Sequence, residues 1–547
     1  MSLTLTVHAV EQVIVTDPIP SRGMQFGYSV ALTEVGGLPL AVIGAPENAF
    51  NTGIRAGMAF VVSIGGVTPL LPIGLEDGDR FGASVAVAVI DNQVVVLVGA
   101  PNHHVGGVKS GAAYLFGLRP PFLGFEDLTM LVPDDPADDD GFGTAVGLDE
   151  AFAVIGAPRH DGSGLNSGRV HVFARSADAL DRWTEFRRLQ APDGMPLDRF
   201  GQSLALKQGA LLVGAPSEAR LASGAAYLFG SDSGGPGAWG LIQELTPTDE
   251  IRGGLFGRDR GTDLEEYRGP RHFGQSVDLD LTGRGFAIVG APWDSGNGLL
   301  AGAAYIFQRD RGGLDNWGQA VKLTASGDGD VGDEFGTSVA IAGDFALVGS
   351  PHDDDLGATG SSGSVYLFRR DQGGEDLWGR IGKILAVSGR AGDEFGRSCA
   401  LLGRAGVSPI GLAGRPLADL LTAGWEDTGA AHFLLGLDDT LLTLPANKDS
   451  FLRKHHPDLS EGAHPGLRIQ KEGRNRVIVG FDADDMAAFL TPKGVPNPPR
   501  LVGASLVLTI SEAPRHWSER KSPGVHAHPV EVDFVEGNGR DAELRGS

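Results

Sequence analysis

Carboxylates at alternate positions are the first residues of this chain that could do chemistry. "GDGDVGDE" offers Asp328, Asp330 and Asp333, and "VDLDLTG" offers Asp278 and Asp280. Calcium takes roughly six to eight hard oxygen ligands, and alternate acids in one loop can supply several of them. Three other stretches bring different chemistry: "PRHDGSG" holds His160 and Asp161, "PWDSGNG" holds Trp293 and Asp294, and "PHDDDLG" holds His352, Asp353 and Asp354. An imidazole can ligate a metal or move a proton near neutral pH. An indole beside carboxylates suits a sugar, with ring face against ring and hydroxyl against carboxylate. Trp425 is a second indole of that kind.

The candidate ligand-binding residues are therefore Trp293, Asp294, His352, Asp353, Asp354, His160, Asp161 and Trp425. The candidate metal ligands are Asp278, Asp280, Asp328, Asp330 and Asp333, with calcium as the candidate cofactor. Each has a plainer reading. Glycine-rich acidic turns are often solvated, or hold Asp side chains bonded to local amides. His103, His104, His160 and His352 all follow a repeated proline, and no His-x-x-x-His or His-Glu-x-x-His pattern joins them. No nucleophile elbow, phosphate-binding Gly-Lys-Ser loop or zinc signature is present. The single cysteine, Cys399, excludes an internal disulfide framework and reads as a buried thiol on a strand.

What positions these residues is a repeat. Phe-Gly recurs at Phe26, Phe81, Phe142, Phe200, Phe273, Phe335 and Phe395, at intervals of about 60 residues. Gly-Ala-Pro follows at Gly44, Gly99, Gly156, Gly214 and Gly290. The sixth copy reads Gly349-Ser350-Pro351, and the seventh is degraded to Ala413–Pro416. A third motif, such as "SGAAYLF", comes next, and four copies then carry Trp183, Trp239, Trp317 or Trp378 ahead of a short apolar strand. Each copy reads as four short strands, A to D. Strand A follows Phe-Gly, strand B runs into Gly-Ala-Pro, and proline ends it because it has no N–H for the ladder. The small Gly-Ala pairs let neighbouring sheets approach, and the Phe and Trp rings fill the space between sheets.

Seven four-stranded units predict an all-β seven-bladed propeller. "VHAVEQVIV" near the N-terminus reads as an orphan strand D that completes blade seven and closes the ring. Strands alternate in direction, so the B–C and D–A loops leave from one face, which carries most of the acidic runs. The long D–A stretch 246–272 falls there too, and insertions confined to one face often mark a binding face.

Charge narrows the partners. The 547 residues carry a formal charge of -24, of which residues 438–547 hold -2 and residues 1–437 hold -22. Phosphate backbones need clustered Lys and Arg, so nucleic acid and anionic membranes are disfavoured. No apolar run is long enough to span a bilayer. The first residues, "MSLTLTVHAVEQVIV", lack the basic start and long apolar core of a signal peptide.

The three motifs, recurring in order, resemble FG-GAP repeats, the blades of the integrin α-subunit propeller and of many bacterial surface and secreted proteins. The "GAAYLF…W…KLTAS…GDEFG" wording is similar to the bacterial branch. In integrin-like propellers, calcium loops lie between Phe-Gly and Gly-Ala-Pro. Here only Asp278 and Asp280 match that phase, and Thr282 departs from it. Residues 438–547, with "GRNRVIVGFDADD", "LVGASLVLTI" and "VEVDFVEGNG", resemble a DNRLRE-type β-sandwich of jelly-roll kind. Such modules usually continue past this last element, so an incomplete module is expected.

The division is thus a propeller over 1–437 and a sandwich over 438–547. The resemblance implies a noncatalytic extracellular or cell-surface recognition or adhesion protein, meeting a glycan or protein partner on the acidic loop face. A docking ring in a bacterial surface assembly, engaged through the C-terminal module, is the alternative. A polysaccharide-active enzyme is a third reading, because carboxylate pairing across blades is invisible in sequence.

Overall fold

The computed structural model describes residues 10–17, 23–49, 55–64, 66–118, 125–217, 223–249, 271–296, 298–325, 331–354, 361–372, 374, 376–386, 389–404, 407–419 and 427–437. The sandwich expected over 438–547 lies outside them. The described strands fall in one compact unit, Gln12–Leu437, which the first strand enters at Glu11. No helix among the described residues is long and apolar enough to cross a membrane.

Seven antiparallel four-stranded sheets make up this unit. Blade five is representative. Strand A is Ser276–Asp280, B is Phe286–Ala291, C is Ala303–Arg309 and D is Trp317–Leu323, hydrogen-bonded in that order. Tight A–B turns use left-handed residues; Gly343, at φ 57°, turns the chain between Ala342 and Phe345 in blade six. Strands C and D carry a register shift at the same place in blades two to six, as between Ile306 and Phe307. A bulge there bends and twists the outer strand.

Blade seven is composite. Its strands A, B and C are Cys399–Arg404, Val407–Arg415 and Ala430–Leu435, and its strand D is Glu11–Val15 from the other end of the chain. The A strands contact one another in an unbroken circle, blade seven touching blade one. Strand A is therefore innermost, and the sheets radiate from it.

The sequence motifs are the joints between blades. The carbonyl of each Phe-Gly glycine lies against the Gly-Ala-Pro glycine of the preceding blade. A Cβ on Gly44 would sit 2.0 Å from the Gly82 oxygen, and a Cβ on Gly290 2.0 Å from the Gly336 oxygen. No side chain fits such an approach. The amide of each Phe reaches back to the start of the preceding strand C, as Phe81 N–H donates to Ala56 O at 2.8 Å. The Phe rings at 26, 81, 142, 200, 273, 335 and 395 are wholly buried. The four tryptophans are buried as well, and two meet the preceding blade edge-on: Trp239 on Phe152 and Trp378 on Phe286.

Candidate functional site

In blades two, three and five two positions face each other where the D–A and B–C loops meet. One lies two residues before Phe-Gly's phenylalanine, and the other four residues after the Gly-Ala-Pro glycine. Asp79 and His103 occupy them in blade two, 2.7 Å apart, and Asp140 and His160 in blade three, 3.1 Å apart. In blade five the charges are exchanged, with Arg271 3.4 Å from Asp294. In blade seven Asp393 meets Arg415, at the alanine position of its motif, at 3.6 Å. These pairs tie the two loops of a blade together beneath its surface.

Several of the residues expected to meet a ligand belong to this layer. Asp294 is 1% exposed. It accepts from the Tyr305 hydroxyl at 2.7 Å and from Lys322 Nζ at 2.9 Å. Lys322 and Arg271 also bind Asp249, so the two stems of the long D–A insertion are pinned together. Burial and the Asp294 carboxylate push the Tyr305 phenol up, so it stays a donor. Asp353 is likewise 1% exposed and accepts from Ser364 Oγ at 2.7 Å, the Tyr366 hydroxyl at 2.8 Å and Lys383 Nζ at 2.8 Å. Asp294, Asp353 and His160 thus lock loops from within; they do not present themselves to a partner. A carboxylate withdrawn from water needs such donors, which is why each acid comes with a Tyr and a Lys on the adjoining strands.

Two of the remaining positions are open and one is buried. Asp161 is exposed and accepts the Asn166 N–H at 2.8 Å, a local turn, and Asp354 is exposed. Asp333 is buried, and its backbone carbonyl accepts from Ser350 Oγ. Asp328, Asp330 and Trp425 lie outside the described residues.

Asp278 and Asp280 sit on the A strand of blade five, where an integrin-type calcium loop would begin. Asp278 accepts the N–H of Ile341, in the next blade, at 2.8 Å. Asp280 accepts the N–H of Gly343, also in that blade, and the N–H and hydroxyl of Thr282 at 2.8 and 2.9 Å. Burial pushes the Asp278 carboxyl up, against the favourable charge of Lys207. Backbone amides occupy the oxygens a cation would need, and Thr282 serves as a donor; this pair does not fit a calcium site. Among the described residues no three His, Cys, Asp or Glu side chains gather as a metal requires.

Above the buried layer stands an inner ring built from the residue before each phenylalanine and the residue after each Gly-Ala-Pro proline. His352 belongs to it. Its Nδ1 lies 3.2 Å from Glu334 of its own blade and its Nε2 3.7 Å from Glu394 of the next. Hydrogen bonds to the two glutamates outweigh burial and raise its pKa to about 9. Trp293, half-buried, stacks on His272 with ring centroids 3.7 Å apart. Burial and the Arg199 charge lower the His272 pKa to about 4, which keeps the stacked imidazole neutral. Glu47 pairs with Arg80 of the next blade at 3.2 Å. Of this ring, Glu47, Arg80, Trp293, Glu334, His352 and Glu394 are half-buried, and His272 is buried beneath Trp293.

Five stretches match the family model described as "FG-GAP repeat": residues 67–116, 125–173, 183–229, 269–307 and 317–368. The chain carries FG-GAP repeats. Four of the five stretches begin at or near a strand D, 269–307 begins just before a strand A, and all end on a strand C, so the FG-GAP unit is offset from the blade by one strand. That offset makes each repeat span a joint. A search of the curated proteins finds no match. Among solved structures, the chain is similar to one titled "Crystal structure of the Saccharomyces cerevisiae Sqt1", at 11% identity and a TM-score of 0.39 over 75% of this chain and 86% of that one.

The FG-GAP signature covers the joints and says nothing of the layer above them. The paired positions escaped the sequence reading because their charges are exchanged between blades. Aligning the copies on both motifs at once, and asking where an acid in one column meets a base in the other, would have found them.

Proposed function

We propose that the chain is a noncatalytic recognition protein of the extracellular or cell-surface kind, and that the D–A and B–C loop face of its propeller meets a glycan or protein partner. One observation carries this reading: the buried Asp and Tyr side chains and their His and Lys partners are consumed in holding loops, while Trp293, His352, Glu334 and Glu394 of the inner ring are preorganised, Trp293 by the buried His272 beneath it, and stay half-open to solvent. Rigid support beneath an aromatic and charged ring lowers the ordering cost of binding. No arrangement among these side chains supplies a nucleophile beside a base. FG-GAP propellers typically serve as interaction or adhesion scaffolds, and fold alone does not decide function.

Glycan-array and protein-capture binding should fall at least tenfold on Trp293→Ala or His352→Ala. Binding unchanged by both substitutions removes this face from the reading. A time-dependent product from a polysaccharide would replace it with an enzyme.

A further inference from the structure

The seam between the last and first blades holds a guanidinium that forms no ion pair among the described residues. Arg397 follows Phe395-Gly396 at the inner end of strand A in blade seven, and Tyr28 holds the same place in blade one. Arg397 Cζ lies 5.8 Å from the centroid of the Tyr28 ring, and Arg80 Cζ, from blade two, lies 5.3 Å from it. Three consecutive blades thus converge on one phenol at the mouth of the axis. Burial pushes that phenol up, yet the charges and hydrogen bonds of Arg80 and Arg397 outweigh burial and hold it below its ordinary value.

Three charged residues of the neighbouring inner ring are answered from within the chain. Arg80 has Glu47, Arg159 has Asp139, and His352 has Glu334 and Glu394. Arg397 makes no ion pair among the described residues. Its neighbour Glu394 pairs with His352 and feels Arg397 only through its charge, and the seam position equivalent to Glu47 is Leu417. The chain has 69 acidic against 45 basic residues, so acids to pair with are plentiful. Half-buried guanidinium groups bind carboxylates in a planar, two-point geometry and lie flat on aromatic faces.

We infer that the Tyr28–Arg397–Arg80 cluster binds a single Asp or Glu carboxylate carried on a peptide segment of a partner protein. The inference rests on the recognition reading and names its ligand class. Glu47 already shows the mode, since a side-chain carboxylate on a slender stem docks on Arg80. A partner Glu or Asp meets Arg397 in the same way, with the phenol hydroxyl as a third polar contact. The acidic surroundings repel anions at long range, so a single carboxylate on a largely neutral segment is favoured over a polyanion.

The test is calorimetric titration of the full chain with N-acetyl-Glu-Gly-amide, with sodium glucuronate as the second arm. Arg397→Gln should weaken dipeptide binding at least tenfold, Arg397→Lys should retain part of it, and Arg309→Gln, at the opposite end of its blade, should leave it unchanged. Bound dipeptide should also move the Tyr28 absorbance titration to higher pH, because a carboxylate offsets the two guanidinium charges. Dipeptide affinity equal in wild type and Arg397→Gln overturns the assignment, as does tighter binding of glucuronate than of dipeptide. If neither probe binds while partner capture still depends on Trp293, the carboxylate site falls and the recognition reading stands.

Discussion

Ser398 Oγ donates to the carbonyl of Gly27 at 2.8 Å, across 371 residues of chain. It is the last of a set. The serine three residues after the phenylalanine reaches the Phe-Gly glycine of the next blade in Ser29–Gly82, Ser84–Gly143, Ser203–Gly274, Ser276–Gly336 and Ser338–Gly396. The Ser398 bond closes the circle. Beside it, a Cβ on Gly414 would lie 1.9 Å from the same Gly27 oxygen. Ser398→Ala should cost about 1 kcal/mol, the usual loss for one hydrogen bond. Gly414→Ala should cost about 1–3 kcal/mol or more through overpacking. Urea unfolding of both variants measures the difference; a Gly414→Ala midpoint equal to wild type would show that the seam is not closed as described.

Blade three lacks this latch. Its equivalent residue is Ala145, and a Cβ on Gly156 would still meet the Gly201 oxygen at 2.0 Å. Geometry at this joint matches the six others, and only the hydroxyl is missing. Ala145→Ser should therefore stabilise the chain, by about 0.5–1.5 kcal/mol for a hydrogen bond gained without rearrangement. The readout is a rise in urea midpoint at unchanged slope. A fall in the midpoint would mean that the position has no room for the hydroxyl.

Joints were legible and the loop layer was not, for one physical reason. A joint demands the same thing seven times: no Cβ where a carbonyl docks, and a large ring where sheets separate. Gly44 and Phe26 therefore recur as identities, and "FG" with "GAP" announces the propeller, down to the orphan strand that became Glu11–Val15. The loop layer demands only that charge be balanced. Asp79 with His103 and Arg271 with Asp294 meet that demand with opposite signs, so no motif appears. Acidic runs such as "HDDD" consequently looked like one surface, when Asp353 lies under it and Asp354 upon it.

Asp353 and Lys383 test the structural role of that layer. The carboxylate is buried, and Lys383 is its cationic partner beside the Ser364 and Tyr366 hydroxyls. Lys383→Met should cost about 3–5 kcal/mol, the range for a buried charge left without its counter-charge. Tyr366→Phe removes one neutral donor and should cost about 1–3 kcal/mol. Adding Asp353→Asn to Lys383→Met should recover part of the loss, because the stranded charge is gone. A Lys383→Met cost under about 0.5 kcal/mol would place the pair in water rather than in the fold.

His352 gives the layer above it a pH dependence of definite sign. In the unfolded chain its pKa is near 6.5, and in the fold Glu334 and Glu394 raise it to about 9. The folded state therefore binds the proton more tightly, so the stabilisation is complete below about pH 6.5. It is lost as pH rises through 9 and the imidazole neutralises between two carboxylates. Glu394 shifts the opposite way: burial raises its carboxyl, but the His352 bond and the Arg397 charge outweigh burial and lower it. Because the imidazolium joins blade six to blade seven, the proton strengthens the joint next to the seam. The melting temperature of His352→Gln should lie below wild type at about pH 6, and the gap should close by about pH 10. The imidazole carbon resonances of His352 should titrate with a midpoint near 9. A midpoint near 6.5, or a melting gap that grows with pH, would show that the two glutamates do not hold the ring.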